Sequence, residues 1–251
     1  MSKIALLFAM LFLLPACSSA SNNSNVGEDV KITQQVKVPA QIKQQLLGSP
    51  VFIQVFKEER VLELYARMGN DYRLIDTYGI CNFSGGLGPK RQVGDFKSPE
   101  GFYSVTNSSL KPDSHYYRAI NLGFPNAYDK SQGYSGAMLM IHGDCRSVGC
   151  YAMTDGYIAE IYRYVESALQ NGQSQVNINI YPFRMTEKNM QRHRNSSNIT
   201  FWRQLQPGFT YFAKHRQPPA VGVVDGKYVV NAPMLFHSDA VVSEFALTQP
   251  K

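Results

Sequence analysis

Residues 141–155 read IHGDCRSVGCYAMTD and place one histidine and two cysteines within nine positions: His142, Cys145 and Cys150. Three chemistries use such residues. A metal site would take these three with Cys81 as a fourth ligand. Structural zinc sites present paired, closely spaced ligands, and beside Cys145 and Cys150 there is no second pair. A disulfide would join Cys145 to Cys150 or Cys81 to Cys145, and connectivity is not readable from sequence. A nucleophile needs a thiolate and a base near it. His142 at a strand end and Cys150 in the following turn meet that need. Gly149 permits a tight turn and a close substrate approach. Backbone N–H groups around Cys150 would then face a developing oxyanion. Cys145, flanked by Asp144 and Arg146, lacks such a glycine, so Cys150 is the stronger nucleophile candidate. A thiolate–imidazolium pair here would give activity that falls on both sides of neutrality.

The elements that must carry these residues are mostly strands. Residues 51–56, 60–66 and 72–80 read as three adjacent antiparallel strands, with Lys57-Glu58-Glu59 and Gly69-Asn70-Asp71 as turns. Residues 81–101 form a long glycine- and charge-rich loop. Its GGLGPK segment lacks the spacing of a phosphate-binding loop, and Arg91 follows Lys90 where Ser or Thr would stand. Strand returns at 102–106, and 137–143 reads as a buried strand ending in His142. Ile158, Ile161, Tyr162, Val165 and Leu169 have helical spacing, with Thr154 or Asp155 as N-cap and Asn171-Gly172 as the stop. Residues 176–181 alternate like a strand with one wet face. Residues 186–217 are helical in part and carry His193 and His215, read as structural. Residues 221–230 form a hairpin on Asp225-Gly226. The fold class is α+β, mainly β.

The first residues set the compartment. An apolar run from Ile4 to Leu14 follows one early lysine and is too short for a membrane span. It ends in Leu14-Pro15-Ala16-Cys17, which resembles a bacterial lipobox, with simple signal cleavage as the alternative. The expected organisation is a signal peptide over 1–16, a lipidated Cys17 and tether over 17–48, a catalytic domain over 49–184 and a C-terminal extension over 185–251. Ser18 after the cysteine points, by resemblance to bacterial lipoprotein sorting, to the inner leaflet of the outer membrane, facing the periplasm. In an oxidising compartment, three cysteines beyond Cys17 cannot all pair within one chain, which favours one functional thiol. The chain carries 25 Lys and Arg against 19 Asp and Glu, a net +6, but the cations are scattered and no nucleic-acid motif appears.

Taken together, Ile141-His142-Gly143, Ser147-Val148-Gly149-Cys150 and the upstream SPEGFYSV at 98–105 resemble the L,D-transpeptidase (YkuD-type) catalytic domain family. The longer phrases GPKRQVGDFKSPEGFYSV, NLGFPNAYD, HGDCRSVGCYAMTD and PFRMTEKNMQRH resemble its YafK branch, also called DpaA or LdtF, over roughly residues 50–230. The resemblance implies a β-sandwich catalytic domain with flanking helices, no cofactor and no metal. It implies Cys150 as nucleophile, His142 as general base, the Gly143 carbonyl as the imidazole's partner, and amides near Val148, Gly149 and Cys150 as an oxyanion hole supported by Ser147. The partners it implies are peptidoglycan stem peptides and, for this branch, an outer-membrane lipoprotein linked to them, with the membrane reached through the lipid on Cys17. Three departures stand out: a short spacer of six residues between Gly143 and Cys150, Val148 where the family has His, and Ala152 where Arg or Asn is common. They fit hydrolysis of the meso-diaminopimelate–lysine amide. The alternatives are crosslink-forming transpeptidation and a noncatalytic envelope-binding lipoprotein. Lys90, Arg91, Arg118 and Arg146 are candidate partners for substrate carboxylates.

Overall fold

A computed structural model describes residues 36–231; the apolar leader and Cys17 lie outside the described residues. Helix α1 (Ala40–Gln45) leads into β1 (Val51–Phe56), β2 (Val61–Met68) and β3 (Asp71–Gly79). After the loop of residues 80–100 come β4 (Gly101–Val105), β5 (Leu110–Ser114), β6 (Tyr117–Asn121) and α2 (Ala127–Ser131). Strands β7 (Met140–His142) and β8 (Tyr151–Ala152) flank the cysteine motif, and α3 (Asp155–Gln170) and β9 (Val176–Tyr181) follow. The chain continues through α4 (Glu187–Arg192), α5 (Ile199–His215) and the hairpin β10 (Val221–Val224) and β11 (Lys227–Val230).

Two sheets dominate. One has five strands in the order β3-β2-β1-β9-β4, and the other has four in the order β5-β6-β7-β8. The first three strands pair antiparallel as their turn residues require, whereas β9 returns beside β1 in parallel after the α3 crossover. Side chains alternate across the five-stranded sheet. Val51, Ile53, Val55, Ile178 and Ile180 point into a core shared with α3 and with Ile120, Ile141 and Tyr151 of the second sheet. Val38 and Leu46, which flank α1, join the same core. On the opposite face, Phe56, Phe102 and Tyr181 pack under Phe201, Trp202, Leu205 and Phe209 of α5. Each such side chain contributes roughly 1.5–3 kcal/mol when fully buried.

Helix α3 begins where its cap residue says it should. Thr154 accepts the Tyr157 N–H at 3.2 Å, and Asp155 supplies an acid in the first turn. Two sequence expectations need correction. Strand β9 is wet only at Asn177: Asn179 is buried and donates to the Tyr181 hydroxyl at 3.0 Å, because the C-terminal helix covers the end of the sheet face opposite α3. The strand expected over 137–143 spans only Met140–His142, since Met138 has φ 58° and is 60% exposed. Residues 110–131, unassigned from sequence, form the β5–β6 hairpin and α2. Asn126 caps α2 by accepting the Asp129 N–H at 2.8 Å.

Candidate active site

The second sheet builds the site. Strand β7 ends in His142, and its parallel partner β8 begins one residue after Cys150, with Ile141 opposite Tyr151. The register continues to set Cys150 opposite Met140, two positions along the short strand pair from His142. His142 is buried, and the Tyr116 ring stacks on it at 4.6 Å between centroids. Its Nδ1 lies 2.6 Å from the Gly143 carbonyl. A carbonyl only accepts, so Nδ1 carries the proton and Nε2 is left with its lone pair. Burial pushes the imidazole pKa down, against smaller upward pulls from that carbonyl and from Asp144. The Cys150 thiol is half-buried and donates to the Met138 carbonyl at 3.6 Å. Burial pushes its pKa up, while the Met140 amide and the Lys90 charge pull it back. These directions oppose a resting thiolate–imidazolium pair. They favour a protonated thiol and a neutral imidazole in the free site.

The loop between them is held at several points. Gly143 has no room for a side chain: a Cβ there would stand 2.5 Å from Asp155 Oδ1 and 2.9 Å from the Tyr116 carbonyl. The same Asp155 oxygen accepts the Asp144 N–H at 2.9 Å. Asp144 and Cys145 both take positive φ, 67° and 43°. Cys145 is bonded to Cys81, which answers the connectivity question and leaves Cys150 as a free cysteine. With two sulfurs consumed in that bond, the four-residue metal set weighed from sequence does not assemble. Ser147 Oγ donates to the Cys150 carbonyl at 2.7 Å. Gly149, at φ 90°, donates its N–H to Ser84 Oγ at 2.7 Å. That amide was expected to face the oxyanion and is instead engaged in the protein. Among the described residues, the N–H groups of Val148 and Cys150 meet no acceptor. Val148 itself is 70% exposed.

A family model for the L,D-transpeptidase catalytic domain (YkuD) matches residues 50–178. The chain is 56% identical over 234 residues, 93% of its own length and 92% of the relative's, to the Escherichia coli (strain K12) protein named "Putative L,D-transpeptidase YafK". It belongs to the L,D-transpeptidase family. Among solved structures, the helical cell shape determining protein Pgp2 of Campylobacter jejuni aligns with a TM-score of 0.45 at 18% identity, covering 70% of this chain and 73% of that one. Bdellovibrio bacteriovorus Bd1075 aligns at 0.39 and 21%, covering 70% and 77%.

The cations expected around this L,D-transpeptidase site divide by their partners. Lys90 is buried, pairs with Asp95 at 2.7 Å and lies near enough to Cys150 to favour its thiolate. Arg146 is exposed and pairs with Asp144 at 2.6 Å, on the loop itself. Arg118 lies over the Tyr117 and Tyr162 rings at 5.7 and 5.2 Å, with its guanidinium engaged on α3 and β6. Arg91 bonds Asn198 at 3.1 Å, at the start of α5, away from the cysteine loop. His193 stacks on Phe183 and meets Glu58 at 3.1 Å, and His215 packs on Tyr211, so both serve the C-terminal region.

Sequence reasoning missed Ser84, Ser98 and Tyr116. Ser98 stood in plain view in SPEG but was read as part of a strand signature. Tyr116 sits in the aromatic run His115-Tyr116-Tyr117, a signal that went unused. A separate cleft of about 620 Å³, lined in part by Phe102, Asn126, Asn177 and Tyr228, contains neither His142 nor Cys150.

Proposed function

We propose that the protein is a cysteine-dependent peptidoglycan amidase. It hydrolyses the amide that joins meso-diaminopimelate of a stem peptide to the lysine of an outer-membrane lipoprotein. The observation that carries this reading is the free Cys150 thiol on the same short parallel strand pair as a buried His142 whose Nδ1 is fixed on the Gly143 carbonyl. His142 Nε2 takes the thiol proton as Sγ adds to the amide carbonyl carbon. In this reading the N–H groups of Val148 and Cys150, which have no acceptor among the described residues, receive the oxyanion. The C–N bond then breaks, and the imidazolium proton passes to the leaving lysine amine. Water adds to the thioester with His142 again as base, releasing a free diaminopimelate carboxylate and restoring the thiol.

Hydrolysis is favoured over transfer by the open surface at the nucleophile, where Val148 is exposed, and by the departures at positions 148 and 152. Lys90 and Arg146 are the cations best situated to meet substrate carboxylates. The same reading has the protein act in the periplasm, held to the inner leaflet of the outer membrane through a lipid on Cys17. A second reading, transpeptidation, is favoured by the printed name of the Escherichia coli relative and uses the same acyl-enzyme.

Mass spectrometry of sacculi that carry the bound lipoprotein remnant tests this. Mature enzyme and its Cys150→Ala variant would be compared. Loss of the remnant with a new free diaminopimelate carboxyl, only with Cys150 present, is expected. New diaminopimelate crosslinks or added remnants would replace the amidase reading with transfer. No change in either sample would point to a binding lipoprotein.

A further inference from the structure

The loop of residues 84–100 carries none of the reacting groups, yet it is the wall against which the nucleophile's backbone is set. Ser84 Oγ accepts the Gly149 N–H at 2.7 Å and donates to the Phe96 carbonyl, so its one proton is committed and its lone pair must face Gly149. Ser98 is fully buried. Its hydroxyl donates to the Cys150 carbonyl at 3.1 Å and accepts the Ser84 N–H at 3.2 Å. The two serines also join through their backbones, Ser98 N–H to the Ser84 carbonyl at 3.1 Å. Two peptide units, Val148–Gly149 before the nucleophile and Cys150–Tyr151 after it, are thus oriented by two hydroxyls from another loop.

That loop is in turn pinned to the core. Lys57, at the end of β1, and Glu100 are both fully buried and pair at 2.9 Å. The ammonium also donates to the carbonyls of Ser98 and Gly88, each at 3.0 Å. Glu100 accepts the Gly88 N–H at 2.6 Å and the Trp202 indole N–H of α5 at 2.8 Å. Every proton of the ammonium has a partner, which is the condition under which a buried charge pair is held in one geometry.

We propose that Ser84 and Ser98 are positioning residues that clasp the Gly149–Cys150 backbone, and that Lys57, Glu100 and Trp202 anchor this clasp to the C-terminal helix. The assignment rests on Cys150 being the nucleophile. It gives the C-terminal region a part in the reaction through Trp202. Without the clasp, Cys150 leaves the half-buried position beside Met138 and Met140. Its thiol then becomes easier to ionise but worse aimed.

The test is a double variant, Ser84→Ala with Ser98→Ala, read two ways. Iodoacetamide alkylation of Cys150 as a function of pH needs no peptidoglycan, so it judges the clasp even if the amidase reading fails. Turnover on sacculi, with Cys150→Ala as the blank, judges that reading separately. The expected result is a kcat lower by about 100-fold, as a misplacement near 1 Å gives. The alkylation midpoint should move down toward an ordinary thiol, and KM should change by less than about threefold. Ser98→Thr, which keeps the hydroxyl, should retain both properties. Trp202→Phe removes the indole donor together with part of the buried ring volume and should move both readouts the same way by less. An alkylation midpoint and turnover unmoved in the double variant, or a loss confined to Tm, would overturn the clasp. An unmoved Trp202→Phe would remove α5 from it.

Discussion

Residues 143–149 and 84–100 are two loops of opposite construction that meet at Cys150. The first is exposed at Cys145, Arg146 and Val148, takes positive φ at Asp144, Cys145 and Gly149, and carries its own ion pair at the surface. The second is fixed through Glu100 to Lys57 at the end of β1, a pair with no solvent contact, and it brings two serines to the first. A reactive loop must leave its amides and sulfur open to substrate, so few of its own groups are free to hold it. Rigidity is borrowed from a neighbour that holds neither the thiol nor the imidazole.

The largest effect should come from breaking the buried anchor. Lys57→Met keeps the aliphatic volume and leaves Glu100 without its cation. Removing one partner of a buried pair costs about 3–5 kcal/mol, because the remaining charge stays desolvated. Burial already pushes the Lys57 pKa down despite Glu100, which shows the desolvation the pair must offset. Urea denaturation at neutral pH measures the loss. A change below about 1 kcal/mol, the size of a surface pair, would mean that the anchor is hydrated and the contrast between the two loops is false.

Next in size is the disulfide, which ties the start of the second loop's segment at Cys81 to the middle of the first at Cys145. It closes a span of 64 residues. Constraining an unfolded loop of that length is worth about 2–4 kcal/mol in measured cases. Cys81→Ser with Cys145→Ser should lower stability by that amount and reduce turnover as well, since Asp144 and Cys145 then lose a covalent hold. A variant with lower Tm and wild-type turnover would show that Asp155 and Ser147 suffice to shape the loop.

The two loops also differ in how much of them could be read from sequence. The short-range signals were legible: the turns of β1–β3, the Thr154 cap of α3, the Asp-Gly hairpin, and the strand end that carries His142. Lys57 was read as a turn residue beside Glu58 and Glu59, which its position supports. Its full burial follows only from Glu100, 43 positions away, and from Trp202. Strand β9 looked half-wet because Asn177 and Asn179 alternate with isoleucines. The helix that covers that face lies later in the chain and leaves no mark on the strand's own pattern. The Cys81–Cys145 pairing and the Gly149–Ser84 bond are long-range for the same reason. Local periodicity reports which residues prefer to be buried, while the choice of partner is made by tertiary packing.

The smallest effect separates the reactive loop from the rest of the fold by pH. The His142 pKa is held below the 6.5 of a free imidazole, so the unfolded chain binds more protons than the folded one in that window. Its contribution to stability is therefore full above about 6.5 and declines as pH falls toward the folded value. Asp129 has the opposite sign. Burial raises its carboxyl from 3.8 to about 6, so its contribution is full below 3.8 and is lost as pH rises through about 6. Between those limits the two groups pull Tm in opposite directions. Turnover has no such compensation. It depends on neutral His142, and its acidic limb should have a midpoint below 6.5. Initial rates and Tm measured across the same buffers would expose the difference. A rate that already halves near neutrality, or a rate that simply follows Tm, would mean that the imidazole is not held neutral by its burial under Tyr116.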